Sequence, residues 1–189
     1  MLTWTRCVAA KKPKRVYWDA CVFLGLINPE EAKHQACRAV QIEAENGNIE
    51  IITSAFTLTE VFKKKCEGKA RPLSEEGEDL IEKYFESPYI LLVQVDRNTA
   101  VHARRLMRRH PELQKPQDAI HLASALRLNV DEMHTYDGAE LLRLNEVCLR
   151  ADGVPLIICP PRIERESLPL LAAMEASQTA DQQEQDANT

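Results

Sequence analysis

The sequence is short of several features, and each shortage excludes a class of protein. None of its six cysteines forms a C-x-x-C pair; they stand at Cys7, Cys21, Cys37, Cys66, Cys148 and Cys159. A zinc ribbon or thioredoxin-like centre is therefore unsupported, and the cysteines read as small buried hydrophobes in a reducing cytoplasm. There are only 6 glycines, and neither common Gly-rich phosphate loop occurs. No apolar run reaches bilayer length, so no transmembrane helix is expected. Lys11, Lys12, Lys14 and Arg15 are not followed by an uninterrupted apolar stretch, which argues against a secretory signal. No Ser-His-Asp or Cys-His order suggests a nucleophilic enzyme. A basic excess is also missing: the net charge is −5. That charge lies largely in the tail, where Glu175, Asp181, Glu184 and Asp186 meet no Lys or Arg. The body is left at about −1, which neither demands nor excludes a nucleic acid partner.

What remains is an ordinary globular composition, 44% hydrophobic and 28% charged over 189 residues, enough for one full core. Its organising stretch is Arg15-Val16-Tyr17-Trp18-Asp19, in which bulky strand formers run into a carboxylate. An unpaired Asp is costly inside a core, so Asp19 belongs at the strand's tip, hydrogen-bonded or holding a cation. Further strands are predicted at 49–53, 90–95, 132–136 and 154–159, the last at a sheet edge because of Pro155. Between them, helical spacing runs from Pro29 to Ala44, from Ser54 to about Cys66, from Ser74 to Phe85, from Asn98 to Arg109 and from Gln117 to Leu128. Glu67 to Pro72 reads as a polar loop. Strands alternating with helices imply βαβ units and a parallel sheet. The predicted organisation is an N-terminal arm at 1–13, with Trp4 packed on the body, one domain at 14–166, and an acidic tail at 167–189 too polar to order itself.

In open parallel sheets, ligands bind where the carboxyl ends of the strands meet. Four acids fall at or near such ends: Asp19, Glu60, Asp118 and Asp137. An oxygen-rich cluster of this kind suits Mg²⁺ or Mn²⁺. Each acid also has a purely structural explanation. Asp137 and Glu140 have capping-box spacing, as do Thr57 and Glu60. Glu60 stands one turn from Lys64. Asp118 suits the first turn of a helix, and Asp19 suits a cap. Cys21 stands where an aspartyl-phosphate phosphatase would need a second Asp.

Here the residues resemble a family. Val16-Tyr17-Trp18-Asp19-Ala20-Cys21-Val22-Phe23-Leu24 is similar to the opening strand of PIN-domain nucleases. Thr57-Leu58-Thr59-Glu60-Val61 resembles their second acidic motif, and Thr135-Tyr136-Asp137 their final Thr-x-Asp. The segment from Pro116 through Asp118, Ala119, His121 and Ala123 resembles their Asp-Ala-x-His-x-Ala helix most specifically. The resemblance spans about residues 14–160. It implies a three-layer α/β/α fold with a central, largely parallel five-stranded sheet. It also implies a Mg²⁺- or Mn²⁺-dependent ribonuclease whose catalytic and metal-binding residues are Asp19, Glu60, Asp118 and Asp137, with Thr135 in support. It further implies likeness to VapC-type toxins, hence an antitoxin partner and a homodimer in the cytoplasm. Cys21 departs from the small polar residue or Asn common there, and the arm and tail exceed a compact toxin. Lys63, Lys64, Arg104, Arg105, Arg108 and Lys115 are candidates for guiding RNA, since such charges bind phosphate without reading bases; the Arg run reads equally as solvated surface, and the Lys63–Lys65 run more readily so. His121 reads as a hydrogen-bonding partner rather than a ligand. The alternative to the enzyme is a catalytically silent PIN-like module that binds RNA or protein.

Overall fold

The computed structural model describes residues 12–27, 31–61, 63–66, 69–72 and 75–163. Trp4, the arm up to residue 11 and the acidic tail lie outside the described residues. In chain order the elements are β1 (Lys14–Trp18), α1 (Ala20–Ile27), α2 (Glu31–Glu45), β2 (Ile49–Ser54), α3 (Thr57–Glu60), β3 (Lys63–Cys66) and β4 (Lys69–Pro72). There follow α4 (Glu75–Phe85), β5 (Ile90–Val93), α5 (Arg97–Arg109), α6 (Pro116–Arg127), β6 (Glu132–His134), a 3₁₀ turn (Leu141–Leu144) and β7 (Ile157–Cys159).

The main sheet has five strands in the order β5-β2-β1-β6-β7, every neighbouring pair parallel. β1 is therefore central, and β7 forms the edge that its proline predicts, although the strand starts at Ile157, beyond Pro155. Alternation along β1 divides the core. Val16 and Trp18 face one layer with Val22, Phe23, Val40, Ile51 and Phe85. Tyr17 faces the other with Ile52, Leu106, Leu122, Met133 and Ile158. Helices thus cover both faces, giving the three-layer α/β/α architecture. Each large side chain buried this fully contributes about 2–3 kcal/mol; Trp18 and Tyr17 are both at 0% exposure. Trp18 meets the edge of Phe23 at 5.2 Å between ring centroids, and Phe23 continues to Phe85 at 4.7 Å.

One expectation fails. The helix predicted from Ser54 to Cys66 is a four-residue helix, Thr57–Glu60, followed by the antiparallel hairpin β3–β4. Ser54 is the last residue of β2 and caps nothing, and Leu58 is 40% exposed. Val61, just past the helix, is buried. The polar loop predicted at Glu67 to Pro72 is overturned too: Lys69–Pro72 is strand β4, paired antiparallel with β3 from Cys66↔Lys69, while residues 67 and 68 lie outside the described residues. Among the described residues, no helix is long and apolar enough to cross a membrane.

Candidate active site

All strands of the main sheet run the same way, so their carboxyl ends share one rim. β1 delivers Asp19 there, β6 leads into Thr135–Asp137, and β2 leads through a short turn into α3 and Glu60. The four acids line one cleft of about 620 Å³, together with Cys21, Lys115 and His121.

Asp19 is 4% exposed. Its Oδ1 accepts the Val22 amide at 3.2 Å and the Cys21 thiol at 2.8 Å, and its Oδ2 accepts the Thr135 hydroxyl at 2.5 Å. The Val22 bond makes Asp19 the N-cap of α1, so the capping role and the cleft position coexist. Burial pushes its carboxyl above the ordinary range, against the pull of His121, Cys21, Thr135 and the Val22 amide. Burial and Asp19 together push the Cys21 thiol up as well. Thr135 Oγ1 also accepts the Asp137 amide at 2.9 Å, so one hydroxyl ties two of the acids together across adjacent strands.

Glu60 makes no cap. The helix it closes has no side-chain cap at Phe56, and the Thr57 hydroxyl is engaged with Thr53 at 2.7 Å. Instead Glu60 Oε2 meets His121 Nε2 at 2.7 Å, and His121 Nδ1 meets the Tyr17 hydroxyl at 2.9 Å. The Tyr17 hydroxyl, whose ionisation burial suppresses, can donate to Nδ1 and leave Nε2–H for Glu60. His121 is thus a buried orienting partner of an acid 61 residues away in sequence.

Asp118 occupies the first turn of α6 behind Pro116, as its spacing predicts. Burial, together with Asp137 beside it, pushes its carboxyl up to about 6 despite the ammonium of Lys115. Burial opposes ionisation of Asp137 too, but the amides of Ala139 and Glu140, with Asp118 and Lys115, hold it below the usual range. Asp137 Oδ1 accepts those amides at 2.8 and 3.2 Å. The suggested capping box is only half formed. The Asp137 amide goes to Thr135, and Glu140 Oε2 accepts the amides of Gln114 and Lys115 at 2.8 and 3.0 Å. Glu140 therefore clamps the approach to α6. Its spacing from Asp137 flagged it, but pointed to the wrong partner.

Lys115 Nζ lies 3.2 Å from Asp118, 3.3 Å from Asp137 and 3.4 Å from Glu140. Partial burial works against its charge, but Asp118 and Asp137 keep the ammonium charged, above its usual range. Three of the other guiding candidates are not brought to the cleft. Arg104, Arg105 and Arg108 are exposed on α5, and none lines the cleft. Lys63 and Lys64 lie on β3, their side chains outside the described residues.

The residues fit a divalent cation on two observations. Burial and crowding push the Asp118 carboxyl up to about 6, a strain that a cation would relieve, and a positive group already stands among three carboxylates. A second group with ligand-like spacing, Glu132, His134 and Cys159, lies elsewhere, on β6 and β7. It fits a metal poorly. Trp18 Nε1, a donor only, gives its hydrogen to His134 Nδ1 at 3.3 Å, so the neutral ring keeps its proton on Nε2, facing Glu132 at 3.1 Å. Glu132 is further balanced by Lys14 at 3.0 Å and Arg162 at 3.1 Å.

A central parallel sheet, helices on both faces and four acids at one rim define an α/β/α domain with an acidic cleft. Residues 16–146 match the PIN domain family, and the chain belongs to it, the nuclease family its motifs resemble. The fold is shared with solved structures at low identity. One is a sarcin–ricin-loop-cleaving VapC toxin of Mycobacterium tuberculosis, at 16% identity and TM-score 0.52, covering 65% of this chain and 90% of that one. Another is FitAcB of Neisseria gonorrhoeae, at 17% identity and TM-score 0.50, covering 77% and 97%. No curated protein matches the chain significantly.

Proposed function

We propose that the chain is a Mg²⁺- or Mn²⁺-dependent endoribonuclease that hydrolyses phosphodiester bonds, and the toxin of a toxin–antitoxin pair. The observation that carries this reading is the convergence of Asp19, Glu60, Asp118 and Asp137 on one cleft of about 620 Å³. Membership of the PIN domain family supports it, and so does the fold shared with an RNA-cleaving toxin. Asp19, Asp118 and Asp137 would hold the cation. When bound, it supplies Lewis acidity toward the phosphate and acidifies water. Thr135 and Cys21 fix the Asp19 carboxylate through their hydrogen bonds. His121 holds Glu60 Oε2, leaving Oε1 as a further ligand or as the acceptor of a proton from the attacking water. RNA is the substrate, a small antitoxin protein and a second copy of the chain are the partners, and the cytoplasm is the location.

Asp19→Asn tests the scheme. The variant should keep the fold, judged by circular dichroism, and lose RNA cleavage by at least about a hundredfold, since a ligand essential to metal-assisted hydrolysis is gone. Wild-type turnover by a folded, nuclease-free preparation would sink it. Folded wild type that binds RNA without ever cutting it would favour the binding module instead.

A further inference from the structure

Lysine side chains at a surface normally run their stems along apolar neighbours and put the ammonium in water. Lys115 does otherwise. Its backbone amide is clamped by Glu140 Oε2 at 3.0 Å, and its side chain folds back so that Nζ meets carboxylate oxygens of Asp118, Asp137 and Glu140 within 3.2–3.4 Å. The three acids reach it from two directions: Asp118 from the first turn of α6, Asp137 and Glu140 from the segment after β6. Two of these oxygens, Asp118 Oδ2 and Asp137 Oδ2, belong to residues assigned above to the cation.

We propose that Lys115 is a tethered competitor for the divalent cation. Its ammonium neutralises the Asp118–Asp137 side of the cleft in the ion-free protein, and a divalent ion engages those oxygens only as the ammonium leaves them. The inference rests on the metal-site reading given above. Glu140 holds the Lys115 backbone by hydrogen bonds that do not involve the ammonium, so the displaced side chain stays at the mouth of the cleft. There it can meet the phosphate of an incoming strand. Ion loading and the release of a phosphate-binding charge are then one event.

The test is isothermal titration of the full chain with Mn²⁺, in wild type, Lys115→Met, Lys115→Gln and Lys115→Arg, each first checked for fold by circular dichroism. Lys115 is half exposed, and two neutral replacements guard against a single misfolded variant. Removing the competing charge should tighten Mn²⁺ binding by about tenfold in the neutral variants, the equivalent of two partly screened ion pairs. The Arg variant, which keeps the charge, should bind no tighter than wild type. Wild type that binds Mn²⁺ while both neutral variants bind equally or more weakly would overturn the competitor role and leave the metal site standing. No Mn²⁺ binding by any of the four would overturn both.

Discussion

Asp19 accepts hydrogen bonds from Val22, Cys21 and Thr135 at the tip of a strand whose last three residues are buried. Those bonds explain how a carboxylate survives there, yet burial still pushes its titration upward. Thr135 is the residue to change if the support is to be separated from the proposed ligand. Thr135→Val removes a donor to Asp19 and an acceptor for the Asp137 amide. It should cost about 1–3 kcal/mol in urea unfolding, the penalty of leaving buried polar groups unsatisfied, and should weaken Mn²⁺ binding. A variant as stable as wild type would mean that water replaces the hydroxyl. At this scale the sequence was legible where a residue's role follows from its own neighbours. Asp19 follows its strand, and Asp118 follows Pro116. Glu60 was legible as a member of a motif but not in its partner, because His121 and Tyr17 come from α6 and β1, and no local spacing joins them. One Asp19 oxygen caps α1 while the other meets Thr135, so the capping role goes together with a place in the cleft.

At the scale of elements, β6 carries a charged knot against β1 and β7. Glu132 pairs with Lys14 and Arg162 and accepts from His134, and it is 3% exposed. Burial alone would raise its carboxyl, but His134, Lys14 and Arg162 hold it down at about 2. A carboxyl whose folded value is depressed adds stability above its unfolded value of 4.5, and that stability drains away as pH falls toward 2. The drop corresponds to about 3 kcal/mol. Glu132→Gln should therefore be less stable than wild type at pH 7 by roughly that amount, and the gap should shrink steadily from pH 4.5 toward pH 2, measured by chemical unfolding across pH. A gap that does not change with pH would assign the loss to packing alone. The helix that became a hairpin belongs to the same scale. A run of three lysines has no apolar period to recommend a strand, and among the described residues β3 pairs only with β4, so its structure comes from a partner rather than from its own pattern. The 3₁₀ turn at Leu141–Leu144, in contrast, buries Leu141 and Leu144, three residues apart, on one side.

At the scale of the molecule, the sheet order places β1 at the centre and gathers the carboxyl ends of five parallel strands along one rim. Strand–helix alternation made that architecture legible, since right-handed crossovers leave few alternatives. The order of strands was not legible from periodicity, which says that a strand is buried but not beside which neighbour. The rim is also where the charge collects: four carboxylates line the cleft, with Lys115 set among Asp118, Asp137 and Glu140. A site of this kind is held together by compensation, and the native state should gain stability from any cation that relieves its repulsion.

Thermal unfolding of wild type and Asp19→Asn, in EDTA and in Mn²⁺, measures that gain directly. At a free concentration a hundredfold above Kd, a cation bound only by the native state adds about 2.7 kcal/mol, a rise in Tm of roughly 5–10 °C for a chain of this size. The carboxylate cleft predicts that rise in wild type and a much smaller one in Asp19→Asn. A wild-type Tm indifferent to Mn²⁺, or an equal rise in both proteins, would contradict a cation site built on Asp19.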